Sequence, residues 1–170
     1  MYEEPELPSK WIPPLKTSHR VFVTLPETVE TFARAGIVAT SVGFGWETPF
    51  PEKFIARKPR KQIGCLSVAG RRKGMLELVR GFELAKRLRP ELLLHIHSRE
   101  SSDASYSAAL TRLSKEIPGF RFTESLLQQD QLNTWWKSLD AYALTSLGEG
   151  LSLTPREAAA RGLPSVLSDI

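Results

Sequence analysis

The sequence predicts an α/β fold, a mainly parallel sheet with helices on both faces, and three observations predict it. From Gln62 onward, short apolar runs of strand length alternate four times with stretches whose apolar residues recur at helical spacing. Two strand-to-helix joints, 70–74 and 148–154, are rich in small or cationic residues. In a parallel sheet such joints gather at the carboxyl ends of the strands, where ligands bind. Finally, 170 residues with 41% hydrophobic and 25% charged content describe an ordinary globular chain, long enough for one domain and part of another.

Residues 1–18 are proline-rich, with Trp11, Ile12 and Leu15 as apolar anchors, and read as an irregular or briefly helical lead-in. HRVFVTL (19–25) is β-branched and apolar enough for a strand, and LPETVETFARAG (25–36) is a helix stopped by Gly36. IVATSVGF (37–44) is extended again. From Gly43 to Lys61 the chain is turn-rich and basic, and Pro49, Pro51 and Pro59 leave no helical period. Residues 1–45 therefore form the end of a first domain, 46–61 a linker and 62–170 the main domain.

In the main domain, QIGCLSV (62–68) is the first strand. The helix that follows, 74–88, places Met75, Leu78, Val79, Phe82, Ala85 and Leu88 on one face. LLLHIH (92–97), a helix from Tyr106 to Ile117, a strand near 120–123, a helix over 128–139 and the strand AYALTS (141–146) continue the alternation. A helix with Thr154 as N-cap and Pro155 at its first position precedes the fifth strand, PSVLSD (164–169). A doubly wound domain normally continues beyond this point, so a truncated chain is expected. Of the adjacent Trp135 and Trp136, one is expected in the core and one on the helix surface.

The net charge is +4 and the basic residues cluster at Arg57, Lys58, Arg60 and Lys61 and again at Arg71, Arg72 and Lys73. Such clusters suit a phosphorylated ligand or an anionic membrane surface. No aromatic residues interleave with them, so no nucleic acid is expected. The first cluster reads as a solvated linker. A single cysteine, Cys65, excludes an internal disulfide and fits a reducing, cytoplasmic setting. No apolar run reaches membrane-span length, and a chain of this charge can still lie against the cytoplasmic membrane face.

Candidate chemistry concentrates in GEGLSLTPREAAARGLPSVLSD (148–169). Glu149 and Glu157 flank a turn of small residues and a helix N-terminus, whose free N–H groups receive phosphate. A ligand with phosphate at its middle and hydroxyls at both ends, a nucleotide-sugar, fits that order. A capping box gives the same Thr-Pro-x-Glu pattern, and on these residues alone the two explanations weigh equally. AGRRKG (69–74) is a flexible turn with three cations that would hold a diphosphate, Lys73 as a point charge and Arg71 and Arg72 as forks; it lacks the P-loop pattern. GFG (43–45) is a turn. His95 and His97 share one strand face, a spacing open to a metal pair but better explained by packing, since no acidic or sulfur ligand accompanies them.

These residues resemble the retaining GT-B glycosyltransferases of family 4, whose motif has the form EGFGLxxxEAMAxGxPVVxSD. Both glutamates, Gly150, Leu153, Ala158, Gly162, Pro164, Ser168 and Asp169 are in register. Lys73-Gly74 opening a long helix, LDAYALTS (139–146) and VGFGWETPF (42–50) also agree, and the first 45 residues resemble the end of the family's acceptor domain. The resemblance implies a Rossmann-like donor domain that binds a nucleotide-sugar and transfers its sugar, with retention, to an unknown glycan, lipid or protein acceptor. No metal or other cofactor is implied. Glu157 would bind the ribose, Glu149 the donor sugar, and the backbone from Gly150 through Leu151, Ser152 and Leu153 to Thr154, with Lys73, the distal phosphate. The base would rest near Ser98 and Glu124 to Leu126.

Two departures stand out. Ser67 and Val68 occupy the positions of the family's Gly and phosphate-binding Arg, so either Arg71 or Arg72 takes over or the grip is weaker; Ser152 replaces the motif's second glycine. With fewer than 50 residues of acceptor domain, the isolated chain is expected to bind its donor weakly and turn over little or nothing. The competing expectation is a catalytically silent module whose basic surface binds a nucleotide or another anionic partner.

Overall fold

The computed structural model describes residues 6–43, 61–101 and 103–169. Most of the expected linker, including Arg57, Lys58 and Arg60, lies outside them. The chain divides into two compact units, Met1–Glu47 and Thr48–Ile170.

In the first unit, a 3-10 turn at Ser9–Trp11 runs into helix α1 (Ile12–Lys16), whose Pro13 and Pro14 fall in the first turn, where a missing N–H costs nothing. Strands β1 (Val21–Val23) and β2 (Ala39–Ser41) pair in parallel and are joined by α2 (Pro26–Arg34). Both strands are three residues long, shorter than their apolar patterns imply. Gly36 closes α2 with φ +71°, a left-handed value that favours glycine.

The second unit is a five-stranded, all-parallel sheet in the order β5-β4-β3-β6-β7. Its strands are β3 (Gln62–Leu66), β4 (Leu93–Ser98), β5 (Phe120–Glu124), β6 (Ala141–Leu144) and β7 (Ser165–Leu167). Helices α3 (Met75–Leu88), α4 (Ala104–Glu116), α5 (Gln129–Ser138) and α6 (Thr154–Ala160) alternate with them. The chain steps outward through β3, β4 and β5, then crosses back to place β6 on the other side of β3. Right-handed crossovers put α3 and α4 on one face and α5 and α6 on the other. Side chains join each pair: the Tyr106 hydroxyl of α4 accepts the Leu76 N–H of α3, and Trp136 of α5 packs under Arg161, just past α6.

Central strand β3 is fixed by close packing. A Cβ on Gly64 would lie 2.2 Å from a methyl of Leu139, so only glycine lets the fully buried Leu139 sit against the strand. Asp140 accepts the Lys61 and Gln62 N–H groups at 2.7 and 2.9 Å, aligning the starts of β3 and β6.

Three expectations need correction. Leu88, assigned to the buried face of α3, is 83% exposed because the last turn runs past the sheet; Met75, Val79 and Phe82 are buried as expected. Trp135 and Trp136 are both buried. Adjacent helical residues point about 100° apart, and α5 has partners on both sides: Trp135 faces His95 and His97, while Trp136 faces Tyr142 and Arg161. Helix α6 is capped by Leu153 rather than Thr154, with no side-chain cap bond, so no capping box forms.

His95 and His97 pack beneath α5. The Trp135 indole N–H donates to His95 Nδ1 at 3.1 Å, which leaves Nε2 to carry the proton toward Thr123 Oγ1 at 3.0 Å. Burial, then Arg121 and His97, push His95 down to about 4 from 6.5. A depressed imidazole favours the fold where it is neutral, so this contribution is complete above pH 6.5 and is lost as pH falls toward 4. Urea midpoints at pH 7.5 and pH 4.5 should differ in that direction, and His95→Gln should narrow the gap.

Candidate functional site

Strand order reverses between β3 and β6, so the loops leaving their carboxyl ends diverge and open a crevice. Residues 67–74 leave β3 and residues 145–153 leave β6; these are the two joints that the sequence marks. Gly74 locks them together. It caps α3 in the left-handed region, φ +58°, and a Cβ there would lie 2.0 Å from the Thr145 carbonyl oxygen. Thr145 Oγ1 donates to the Gly74 carbonyl at 2.7 Å, and the Leu147 N–H donates to the Arg72 carbonyl at 2.8 Å.

On this lock sits an ion pair. Lys73 Nζ donates to Glu149 Oε1 at 2.5 Å, and the Ser146 hydroxyl donates to the same oxygen at 2.5 Å. Arg72 donates to the Gly148 carbonyl at 2.6 Å and stands 3.8 Å from Glu149 Oε2. Burial pushes the Glu149 carboxyl up, but the hydrogen bonds from Lys73 and Ser146 and the charges of Lys73 and Arg72 outweigh it, and the net direction is down. Two cations and one anion thus meet at the crevice. The exposed Arg71 guanidinium makes no hydrogen bond or ion pair among the described residues, and only its charge reaches Asp103. Of the two arginines, the geometry joins Arg72 and not Arg71 to Lys73 and Glu149.

Glu157 differs. Half-buried on α6, its carboxylate meets no hydrogen-bond donor or ion-pair partner among the described residues. Burial pushes its pKa up, and Arg161 only partly offsets that. Such a group costs stability when charged and is ready to accept hydroxyl hydrogens. Between the two acids, the backbone N–H groups of Gly150, Leu151, Ser152 and Leu153 also donate no hydrogen bond among the described residues. Helix α6 has only seven residues, so an anion here would be held by these loop donors and the nearby cations more than by a macrodipole.

Beside the crevice lies a pocket of about 210 Å³ at the ends of β3, β4 and β5, walled by Leu66, Val68, His97, Ser125, Leu126, Leu127, Leu132 and Thr154. It continues into a wider concavity bounded by Val68, Arg99, Glu100, Glu124, Ser125 and Leu126. Leu126, anticipated here, is 76% exposed at the rim. Ser98 lies beneath the pocket, fully buried: its hydroxyl accepts the Ala69 N–H at 2.8 Å and donates to the Arg99 carbonyl at 2.5 Å. It couples two loops instead of facing a ligand.

Several participants were missed by sequence reasoning. Ser146 braces Glu149, and Tyr142, buried in β6, stands 2.6 Å from Thr154 Oγ1 and 3.2 Å from the Leu66 carbonyl, tying the start of α6 to the end of β3. A small hydroxyl just after a strand was the only signal for Ser146. Nothing in the sequence pairs Tyr142 with Thr154.

Residues 60–170 match the family described as Glycosyl transferases group 1. No curated protein sequence matches the chain. Among solved structures, the pneumococcal O-GlcNAc transferase GtfA in complex with UDP and GlcNAc is 20% identical with a TM-score of 0.69, over 88% of this chain and 30% of that one. An S. aureus TarM variant, solved with Fondaparinux, alpha-GlcNAc-glycerol and UDP, is 18% identical with a TM-score of 0.76, over 95% of this chain and 32% of TarM. A UDP-forming trehalose-phosphate synthase from Burkholderia xenovorans is 14% identical with a TM-score of 0.67, over 93% of this chain and 48% of that one. The chain therefore spans about a third of the first two proteins, and at these identities the likeness is one of fold.

Proposed function

The chain belongs to the glycosyl transferases group 1 family, and from that premise we propose that it is the donor-binding portion of a retaining nucleotide-sugar glycosyltransferase. The observation that carries this reading is the convergence, at the switch point of the sheet, of the Lys73–Glu149 pair with Arg72, four loop N–H groups that donate no hydrogen bond among the described residues, and a Glu157 carboxylate with no partner among them. The diphosphate would take Lys73, Arg72 and the loop N–H groups, Glu157 the ribose hydroxyls and Glu149 a hydroxyl of the donor sugar. The base would enter the pocket between Val68 and Ser125–Leu127. Residues 1–45 would close an acceptor-type domain, 46–61 link it, and 62–170 bind the donor.

The chemistry asked of these groups is electrostatic. As the bond between sugar and diphosphate breaks, negative charge accumulates on the departing phosphate, and fixed cations and N–H donors there stabilise it without reorganising. Lys73 is already oriented by Glu149, so little motion is needed. No step asks for a metal or other cofactor. Donor binding, rather than turnover on an acceptor, is the property assigned to these residues. Its setting would be cytoplasmic, where an anionic membrane surface is a further partner for the basic face.

UDP is the first donor nucleotide to test, because the GtfA and TarM structures contain it. In calorimetric titrations with UDP, GDP, ADP and their sugars, one nucleotide should bind and the others should bind at least tenfold more weakly. The competing reading, a silent module holding an anionic partner, expects a salt-sensitive interaction that survives Glu149→Ala and Glu157→Ala but is lost when Arg71, Arg72 and Lys73 are neutralised. That pattern would displace the donor-binding reading.

A further inference from the structure

Resting on the donor-pocket reading, we propose that His97 is the positioning residue of the base pocket: its ring forms part of the wall, and its Nε2–H holds the Ser125–Leu127 loop where a base would lie. His97 is the penultimate residue of β4, 3% exposed, and lines the 210 Å³ pocket. Its Nε2 is 2.9 Å from the Ser125 carbonyl oxygen. A carbonyl only accepts, so that nitrogen carries the proton. Ser125 is held from both sides, since its own N–H donates to the Ser98 carbonyl at 2.8 Å. The N–H groups of Leu126 and Leu127, beyond it, donate no hydrogen bond among the described residues. The bond from His97 is thus the last hydrogen bond on this loop before Gln128, the N-cap of α5, whose N–H donates to Gln131 Oε1 at 2.9 Å.

Protonation of His97 bears on the same pocket. The groups around it are His95 on its own strand, with ring centroids 6.2 Å apart, Arg121 on β5, Arg99 in the loop after β4 and Asp130 on α5. Burial favours the neutral ring, the Ser125 carbonyl opposes that, and Arg121 adds to the effect of burial. A base stacked in the pocket would close off the little solvent the ring still meets and favour the neutral form further. Binding and protonation therefore oppose each other, and affinity falls as pH is lowered.

The test titrates the full chain with UDP, GDP and ADP between pH 5.5 and 8, as wild type, His97→Phe and His97→Gln. His97→Phe keeps an aromatic ring but loses the donor, and should weaken binding about fivefold or more at pH 7.5. His97→Gln restores an N–H donor and should recover most of that loss. Toward the acid end of this range wild-type affinity should fall more steeply than that of His97→Gln; the ligand's own titration is common to both. Should His97→Phe not fold, as judged by circular dichroism, the wild-type and His97→Gln pH profiles decide alone. Wild-type affinity in His97→Phe, or parallel profiles for wild type and His97→Gln, would overturn the inference. Absence of nucleotide binding by the wild type would instead overturn the reading beneath it.

Discussion

Gly74→Ala is expected to destabilise the second unit by about 3 kcal/mol or more, or to prevent its folding. The new Cβ would lie 2.0 Å from the Thr145 carbonyl oxygen, a backbone atom that cannot swing aside, and alanine would have to hold a φ of +58°. Relief requires the β3 and β6 loops to part, which would also separate Lys73 from Glu149. Gly81→Ala supplies the contrast within the same helix. Its Cβ would meet nothing within 4 Å, so alanine should stabilise the helix by about 0.5–1 kcal/mol. Chemical denaturation of the two variants should move the midpoint in opposite directions.

Glu157→Gln should reduce nucleotide affinity at least tenfold while leaving stability at pH 7 unchanged or higher. The carboxylate is half-buried and its pKa is raised by burial, so the charged form costs folding energy at neutral pH. The sign is opposite to that of His95: a raised carboxyl makes the fold gain stability as pH falls, and a neutral amide removes the penalty. Glu149 behaves otherwise. Its removal strands Lys73, 18% exposed, without its partner, and Glu149→Ala should cost about 1–3 kcal/mol of stability as well as donor-sugar affinity. A residue that destabilises the fold yet is needed for binding carries the signature of a site, and one thermal-shift series with and without nucleotide separates the two glutamates.

Much of this was legible in the chain because it is local. Alternation between strand and helix periods gives the all-parallel sheet, and the spacing of Lys73, Glu149 and Glu157 around two joints gives the crevice, since topology delivers both joints to one end of the sheet. The misses depend on depth and on partners distant in sequence. Leu88 fits the helical period but lies beyond the sheet, so periodicity cannot report its exposure. Trp135 and Trp136 are both buried because α5 has partners on two sides, His95 and His97 on one and Tyr142 and Arg161 on the other. Thr154 has the composition of a cap, yet its hydroxyl is paired with Tyr142, twelve residues away. Ser98 neighbours the pocket along the chain, but its hydroxyl is fully buried one layer beneath it, a depth that sequence position does not report.

The most direct measurement is the map of backbone amide shifts in the isotopically labelled 19.1 kDa chain as UDP, GDP or ADP is added. The account predicts saturable shifts at Gly150 to Leu153, at Arg72 to Gly74 and at Ser125 to Leu127, all diminished in Glu157→Gln. Saturable shifts confined to other faces of the sheet, or an unchanged pattern in Glu157→Gln, would contradict it.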